Sequence, residues 1–406
     1  IAVETIGTEY KGATAFRDPD GNVIPSETVP TLEIPEGVTS ISDGAFQGCV
    51  SLTSISLPST LSRIPNYLCY GCTNLKSVYG SDHIKEVGAC AFSSTMSLGN
   101  TEDIIGFDFT SIEKIGSDAF NICGLTSVVL PKSCVKIEHA AFANTPKLKS
   151  FDMSLCDQIT SLPDAFLWHN EDRYNSNFSL TLSSSIKILG DRCFGYCGFS
   201  SLNMPSGITS MGAKCFYSCA DLESITIPST VTSLGESCFE GCTGLTSVTF
   251  ATNAQGGTSI TTFGTYCFSG CSSLIGFDTL DSGIFGTNVN GLRLPDSIKT
   301  IGYYAFSNCK NLNYVQINEG CKYVLGAAFD SCSNLKKIYV SSTVVHLDQQ
   351  VFRGCSKLTH VLGCANVEYL GENLDSTGNH TNFYGCTSLI EVERINEGNY
   401  YWRILF

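Results

Sequence analysis

A phenylalanine returns along this chain at a nearly fixed interval and carries its neighbours with it. The slot holds Phe46, Phe92, Phe120, Phe142, Phe166, Phe194, Phe216, Phe239, Phe268, Phe306, Phe329, Phe352 and Phe383, and Cys69 keeps register between the first two. That makes 14 repeats with a modal spacing of 22–23 residues and longer steps where loops are inserted. Six residues after the slot stands a leucine, as at Leu52, Leu222 and Leu335, and three further on an apolar residue, as at Ile55, Ile225 and Ile338. A period of this length signals stacked supersecondary units, each unable to bury its apolar side alone. It also changes how length is read. At 406 residues the chain would otherwise suggest two or three domains, whereas a solenoid is one elongated domain at any length.

One repeat shows the local logic. Leu222-Glu-Ser-Ile225-Thr-Ile227 alternates apolar and polar residues at its end, the signature of a half-buried strand. Pro228 ends it, because proline cannot donate to a ladder. A turn follows, then the apolar pair Val231 and Leu234, then Gly235. Residues 236–242 predict a turn or two of helix with Cys238, Phe239 and Cys242 on one face. The expected class is therefore an α/β repeat with one short strand plus a short helix or turn per repeat.

The composite pattern I-x-x-I-G-x-x-A/C-F-x-x-C-x-x-L-x-x-I-x-L-P resembles the BspA-like leucine-rich repeats, and residues 231–248 are a close match. The resemblance covers residues 31–394, with 1–30 as an N-terminal cap and 395–406 as a C-terminal cap strand. It implies a curved, right-handed leucine-rich-repeat solenoid on the surface of, or secreted by, gut and oral bacteria, although some microbial eukaryotes carry it too. The implied role is adhesion or recognition of a protein or glycan on a host or neighbouring microbial surface, by a monomer using its concave sheet face and inserted loops. No catalytic motif or cofactor belongs to the repeat, and the implied niche is anaerobic. Ile1 is not an initiator Met, so a signal peptide or lipoprotein leader could have been removed upstream. A lipid anchor of that kind is the only membrane contact expected.

The 21 cysteines need a separate account. Eleven stand three residues after the slot: Cys49, Cys72, Cys123, Cys197, Cys219, Cys242, Cys271, Cys309, Cys332, Cys355 and Cys386. Thr95, Thr145 and His169 fill that position in the other repeats, and Cys193, Cys215, Cys238 and Cys267 replace the small residue before the Phe. Interchange with Ala and Thr points to a small buried group, which free Cys supplies. Zinc needs ligands converging on one point, and these are spread along a stack. Disulfides remain an alternative, since equivalent residues on neighbouring strands lie about 4.8 Å apart. Stacked side chains point in parallel, however, and a disulfide dihedral needs them turned toward each other.

Thirty-eight acidic residues against 24 basic ones leave a formal charge of −14 with no long basic run, a poor match for nucleic acid. No phosphate loop, HExxH or GxSxG motif stands out. The more informative residues flank the inward-facing ones on each strand and point outward. Early repeats make a hydroxyl ladder there, as at Ser54/Ser56, Ser224/Thr226 and Ser247/Thr249. Later the row changes to Tyr314, Lys337, His360 and Glu391, flanked by Gln316, Tyr339, Leu362 and Glu393. Aromatics mixed with hydrogen-bonding groups on an open face suit ligand binding, so Tyr314, Gln316, Lys337, Tyr339, His360 and Glu391 are the candidate contact residues. The polar insertion Trp168-His-Asn-Glu-Asp172 is a weaker candidate. Two other function classes stay open. One is a carbohydrate-active enzyme or accessory module, using an acid pair such as Glu391 and Glu393. The other is a structural spacer of roughly 65 Å, from fourteen strands at about 4.8 Å each.

Overall fold

Most of the described repeats contribute two short parallel strands rather than one. The computed structural model describes residues 29–99, 106–170, 178–276, 278–364, 366–371 and 381–392, together with the backbone of 16–17 and 23–24. Phe16–Arg17 pairs antiparallel with Val23–Ile24; most of the expected N-terminal cap and all of the C-terminal cap strand lie outside the described residues. The chain forms two units, 1–199 and 200–406.

In the first unit, one ladder runs Thr31–Glu33, Ser54–Ser56, Ser77–Tyr79 and resumes as Ser127–Val129, Ser150–Asp152, Ser179–Thr181. The second ladder consists of Arg63–Ile64, Glu86–Val87, Lys114–Ile115 and Lys136–Ile137, followed by Ser161–Leu162 with Ile188–Leu189. In the second unit the first ladder comprises Ser224–Ile227 with Ser247–Phe250, and then Asn290–Arg293, Tyr314–Ile317, Lys337–Val340, His360–Leu362 and Glu391–Val392. Its second ladder runs from Ser210–Met211 through Ser233–Leu234, Thr262–Phe263, Thr300–Ile301, Tyr323–Val324 and His346–Leu347 to Tyr369–Leu370. The apolar pair after the proline builds this second ladder: Val231 is buried in the turn and Leu234 faces inward from the strand.

The segment around the Phe slot is not helical. Among the described residues, α-helix is confined to Ser282–Phe285, and 3-10 turns occur at Ser81–His83 and Thr381–Phe383. Around Phe239 the amides alternate between two duties. Ser237, Phe239 and Gly241 donate to the carbonyls of Thr265, Cys267 and Ser269 in the next repeat, each at 2.8 Å. Cys238, Glu240 and Cys242 donate locally to Gly235, Ser237 and Phe239 at 3.2–3.3 Å. An α-helix would turn every amide back four residues along its own strand of chain, so this alternation excludes it. It also sets backbone conformation: positions two before and two after the slot are left-handed, as at Ser237 (φ 55) and Gly241 (φ 75). The turn alternative is the one the chain adopts.

Stacking of repeats carries the side chains with it. Phe216, Phe239, Phe268, Phe306 and Phe329 form a parallel pile with centroids 5.0–5.3 Å apart, and Phe92, Phe120 and Phe142 do the same in the first unit. At Gly235 the repeats approach so closely that a Cβ would sit 2.6 Å from the Gly212 carbonyl carbon. That contact explains the glycine after the second-ladder Leu.

The expected placement of Phe166 and His169 is corrected by one residue. Leu167 donates its amide to the Cys193 carbonyl, and the Cys197 thiol donates to the Leu167 carbonyl at 3.1 Å, so Leu167 fills the slot. Phe166 occupies the small-residue position before it and crosses Phe142 edge-on at 90°. Three residues after the slot is then Asn170, 2% exposed, which donates to the Phe142 carbonyl at 3.0 Å. His169 takes the left-handed position (φ 61) and stacks on Tyr196 at 4.1 Å.

All 21 cysteines are free thiols, and every one but Cys90 is buried. The slot cysteines also have a polar task. Cys72, Cys242, Cys271, Cys309, Cys332, Cys355 and Cys386 each donate Sγ–H to the Phe-slot carbonyl of the preceding repeat at 3.0–3.2 Å. That carbonyl also accepts from the amide three residues on, as Phe306 does from Cys309, so the thiol fills its second lone pair. Thr145 serves the same purpose within its own repeat. The position selects a buried donor as well as a small volume.

Two stability predictions follow from this backbone. Replacing Cys332 with the isosteric pair Thr and Val separates volume from hydrogen bonding. Cys332→Val is expected to be about 1 kcal/mol less stable than Cys332→Thr, read from urea midpoints at constant m-value. Ile122 is a β-branched residue at a left-handed position (φ 54), 41% exposed, and that conformation costs it roughly 1–2 kcal/mol. Ile122→Gly should raise stability by about 1 kcal/mol after the added freedom of the unfolded chain is subtracted, with a higher melting temperature as the readout.

Candidate functional site

The outward residues of the first ladder in the second unit stand in the predicted register. Tyr314 is opposite Lys337, Lys337 opposite His360, and His360 opposite Glu391. The parallel row places Arg293 by Gln316, Gln316 by Tyr339 and Tyr339 by Leu362. Between these rows Leu292, Val315, Ile338 and Val361 point inward and are buried. Strand alternation thus fixes which side chains are available. Tyr314, Lys337, Tyr339, His360 and Leu362 are all half-buried.

Several contacts hold this surface in place. The Lys336 ammonium lies 5.8 Å from the Tyr314 ring centroid, a cation–π distance. Phe285 meets the same ring edge-on at 6.3 Å. His360 Nδ1 is 2.8 Å from the Thr359 hydroxyl. Tyr339 lies over Gly363 (φ 81), where a Cβ would sit 2.5 Å from the ring. The same Cβ would meet the Val340 carbonyl oxygen more closely still, so a larger residue there would disturb the strand backbone as well as the ring.

Gln316 departs from the expectation that it faces a ligand. It is 7% exposed: its Oε1 accepts from the Asp281 amide at 3.0 Å, and its Nε2 donates to Asn318 Oδ1 at 2.9 Å. The insert after Asp278 is the cause. Asp278–Thr279 pairs antiparallel with Asn290–Arg293, and the helical turn Ser282–Phe285, capped by Asp281 onto the Gly283 amide, packs beside Tyr314. The insert therefore covers part of the row and buttresses the rest. Nothing in the sequence of the insert marks which strand it will cover. Register is settled for Glu391, and Glu393 lies outside the described residues.

The other candidates are absorbed by packing. Trp168 leaves no room for a Cβ at Gly195 and joins Ala140, Ala143 and Ala165 in a small apolar cluster. His169 stacks on Tyr196 and Asn170 is buried, while residues 171–177 lie outside the described ones. Burial pushes the Cys123 thiol up to about 11 and those of Cys321 and Cys386 up to about 12, which disfavours nucleophilic chemistry at these three, since only the thiolate attacks. Among the described residues no group of three or more His, Cys, Asp or Glu is arranged to hold a metal ion, and no helix is long and apolar enough to cross a membrane.

Known proteins match this geometry. A family model for the BspA type leucine rich repeat region matches residues 26–102, 100–171, 172–284 and 279–400. No curated relative matches the chain. Among solved structures it is similar to a leucine-rich repeat protein from Bacteroides ovatus, 24% identical over 82% of this chain and 86% of that one, with a TM-score of 0.60. It is also similar to a leucine rich cell surface protein from Faecalibacterium prausnitzii, 19% identical over 87% and 91% with a TM-score of 0.47. For the pneumococcal vaccine antigen PcpA the values are 15%, 86%, 90% and 0.49. The Bacteroides likeness shows a shared fold. With the family match extending over nearly the whole length and the repeat register visible in both ladders, the chain belongs to the BspA-type leucine-rich-repeat family.

Proposed function

We propose that this is a non-enzymatic binding protein of the bacterial surface or exterior, and that it recognises a protein or glycan through the first-ladder face at Tyr314, Lys337, Tyr339 and His360, with Glu391 at the edge of the row. One observation carries the reading. The outward hydroxyls of Ser224/Thr226 and Ser247/Thr249 are followed, on the later strands of the unit, by aromatic and cationic side chains that stand in register with one another. Ser and Thr solvate an open sheet face at little cost, so the fold does not require the change. Tyrosine adds large contact area and a polar tip with few rotatable bonds. The seating of Tyr339 on Gly363 and of Tyr314 against Phe285 lowers the entropy lost on binding. Membership of the family supports the surface location.

Two experiments test it. On arrays of extracellular-matrix proteins and glycans, the combined Tyr314→Ala, Tyr339→Ala and His360→Ala variant should lose at least about tenfold in affinity, on the order of 1.4 kcal/mol or more, for whatever the unmodified protein captures. Unchanged binding would end the proposal. Separately, Tyr339→Phe, which keeps the ring, should cost less than Tyr339→Ala.

A further inference from the structure

A second surface stands in the first unit, on the other ladder. The outward residues of four consecutive second-ladder strands are Arg63, Glu86, Lys114 and Lys136, in direct register. Their inward neighbours Ile64, Val87, Ile115 and Ile137 are buried. Together with Asn66, Val87, Gly88, Ala89, Ile115, Gly116 and Glu138, the four outward residues line an open groove. In a chain of net charge −14, three cations in four successive outward positions stand out. Of the later outward residues in this ladder (Ser161, Ile188, Ser210, Ser233, Thr262, Thr300, Tyr323, His346 and Tyr369) none is Lys or Arg.

The pairing within the row leaves positive charge in excess. Glu86 serves two cations, Lys114 at 2.7 Å and Arg63 at 3.9 Å. Lys136 pairs with Glu138 at 2.6 Å. The Lys114 and Lys136 hydrogen bonds hold the Glu86 and Glu138 carboxyls below the usual range, so both are ionised at neutral pH. Lys114 and Lys136 nevertheless stand side by side on adjacent strands, where like charges destabilise a sheet. An anion between them would remove that repulsion. A cross-strand pair accounts for Glu86 and a local one for Glu138; neither accounts for lysines on two adjacent strands.

We propose that this groove binds a carboxylated glycan laid across the strands, with Arg63, Lys114 and Lys136 taking its carboxylates and Asn66, Glu86 and Glu138 meeting its hydroxyls. The row spans about 14 Å from Arg63 to Lys136, three strand steps of about 4.8 Å, and so reaches several sugars. A glycan suits the groove better than an acidic peptide, because the groove is open, no aromatic side chain lines it, and its apolar residues Val87 and Ile115 are themselves buried, leaving no deep apolar pocket to anchor a side chain. This surface is separate from the Tyr314–His360 face, and either can fail without the other.

The experiment is calorimetric titration of the whole protein with a tetramer of galacturonic acid, with maltotetraose and tetraglutamate as comparisons. The acidic tetrasaccharide should bind, maltotetraose should not, and affinity should fall as salt rises from about 0.05 to 0.5 M. The combined Arg63→Gln, Lys114→Gln and Lys136→Gln variant should bind at least about tenfold more weakly. Its melting temperature should barely move, since exposed ion pairs contribute little to stability. No binding of the acidic tetrasaccharide by the unmodified protein at low salt would overturn the proposal. So would binding unaffected by the triple substitution, or equal affinity for tetraglutamate, which would make the groove an acidic-peptide site.

Discussion

The alternation of amides around the Phe slot is the constraint on which the rest depends. Every second N–H in that segment reaches the next repeat and the others close local turns, so no buried donor goes unpaired as the repeats stack. The alternation forces left-handed conformations at two fixed positions per repeat, and chain chemistry tolerates them unevenly. Gly48, Gly71, Gly241, Gly270 and Gly354 adopt them freely, whereas Tyr196, Ile122 and Arg192 hold them against their own preference. Each strained residue is held by bonds to its neighbours on the stack. Isolated repeats would have nothing to hold that shape.

The same segment explains why cysteine dominates one column. With its amide committed to the next repeat and its ring committed to the pile, the Phe residue presents a carbonyl with one lone pair still open inside the core. A thiol from the adjoining repeat fills it without adding the volume of a longer polar side chain. Thr145 and Asn170 show that the requirement is for a donor, because each brings a hydroxyl or amide to the Phe142 carbonyl. The abundance of cysteine in this column records backbone chemistry.

Much of this was legible in the residues, and the exceptions have physical causes. The first ladder and its register follow from the apolar period, and Tyr314, Lys337 and His360 align as their spacing demands. The helix reading failed because Cys238 and Cys242, four apart, share a face in two linked turns as they would in a helix. Phe166 misled because a large ring is conspicuous, while the reliable ruler is the count of five from the second-ladder apolar residue: Leu162 to Leu167, as Leu234 to Phe239 or Val324 to Phe329. Gln316 could not be recognised as covered, since its burial depends on where the 279–291 insert comes to rest. Allotting one strand to each repeat left Arg63, Glu86, Lys114 and Lys136 without a common row.

Outward positions are where this fold leaves its sequence free. Inward residues are fixed by packing, glycines such as Gly235 by the approach of neighbouring backbones, and the slot cysteine by a carbonyl. An outward residue on either ladder has few of these duties, and Ser or Thr satisfies it in stretches such as Ser210, Ser233, Thr262 and Thr300. A run of adjacent departures is therefore more informative than any single one, because stacking demands none of them. Tyr314, Lys337 and His360 form such a run on one ladder, and Arg63, Glu86, Lys114 and Lys136 form one on the other. The two differ in chemistry: packed aromatic rings with polar tips in the first case, exposed charge along an open groove in the second. Surfaces built so differently on the same repeat favour unlike ligands, one met by contact area and the other by charge.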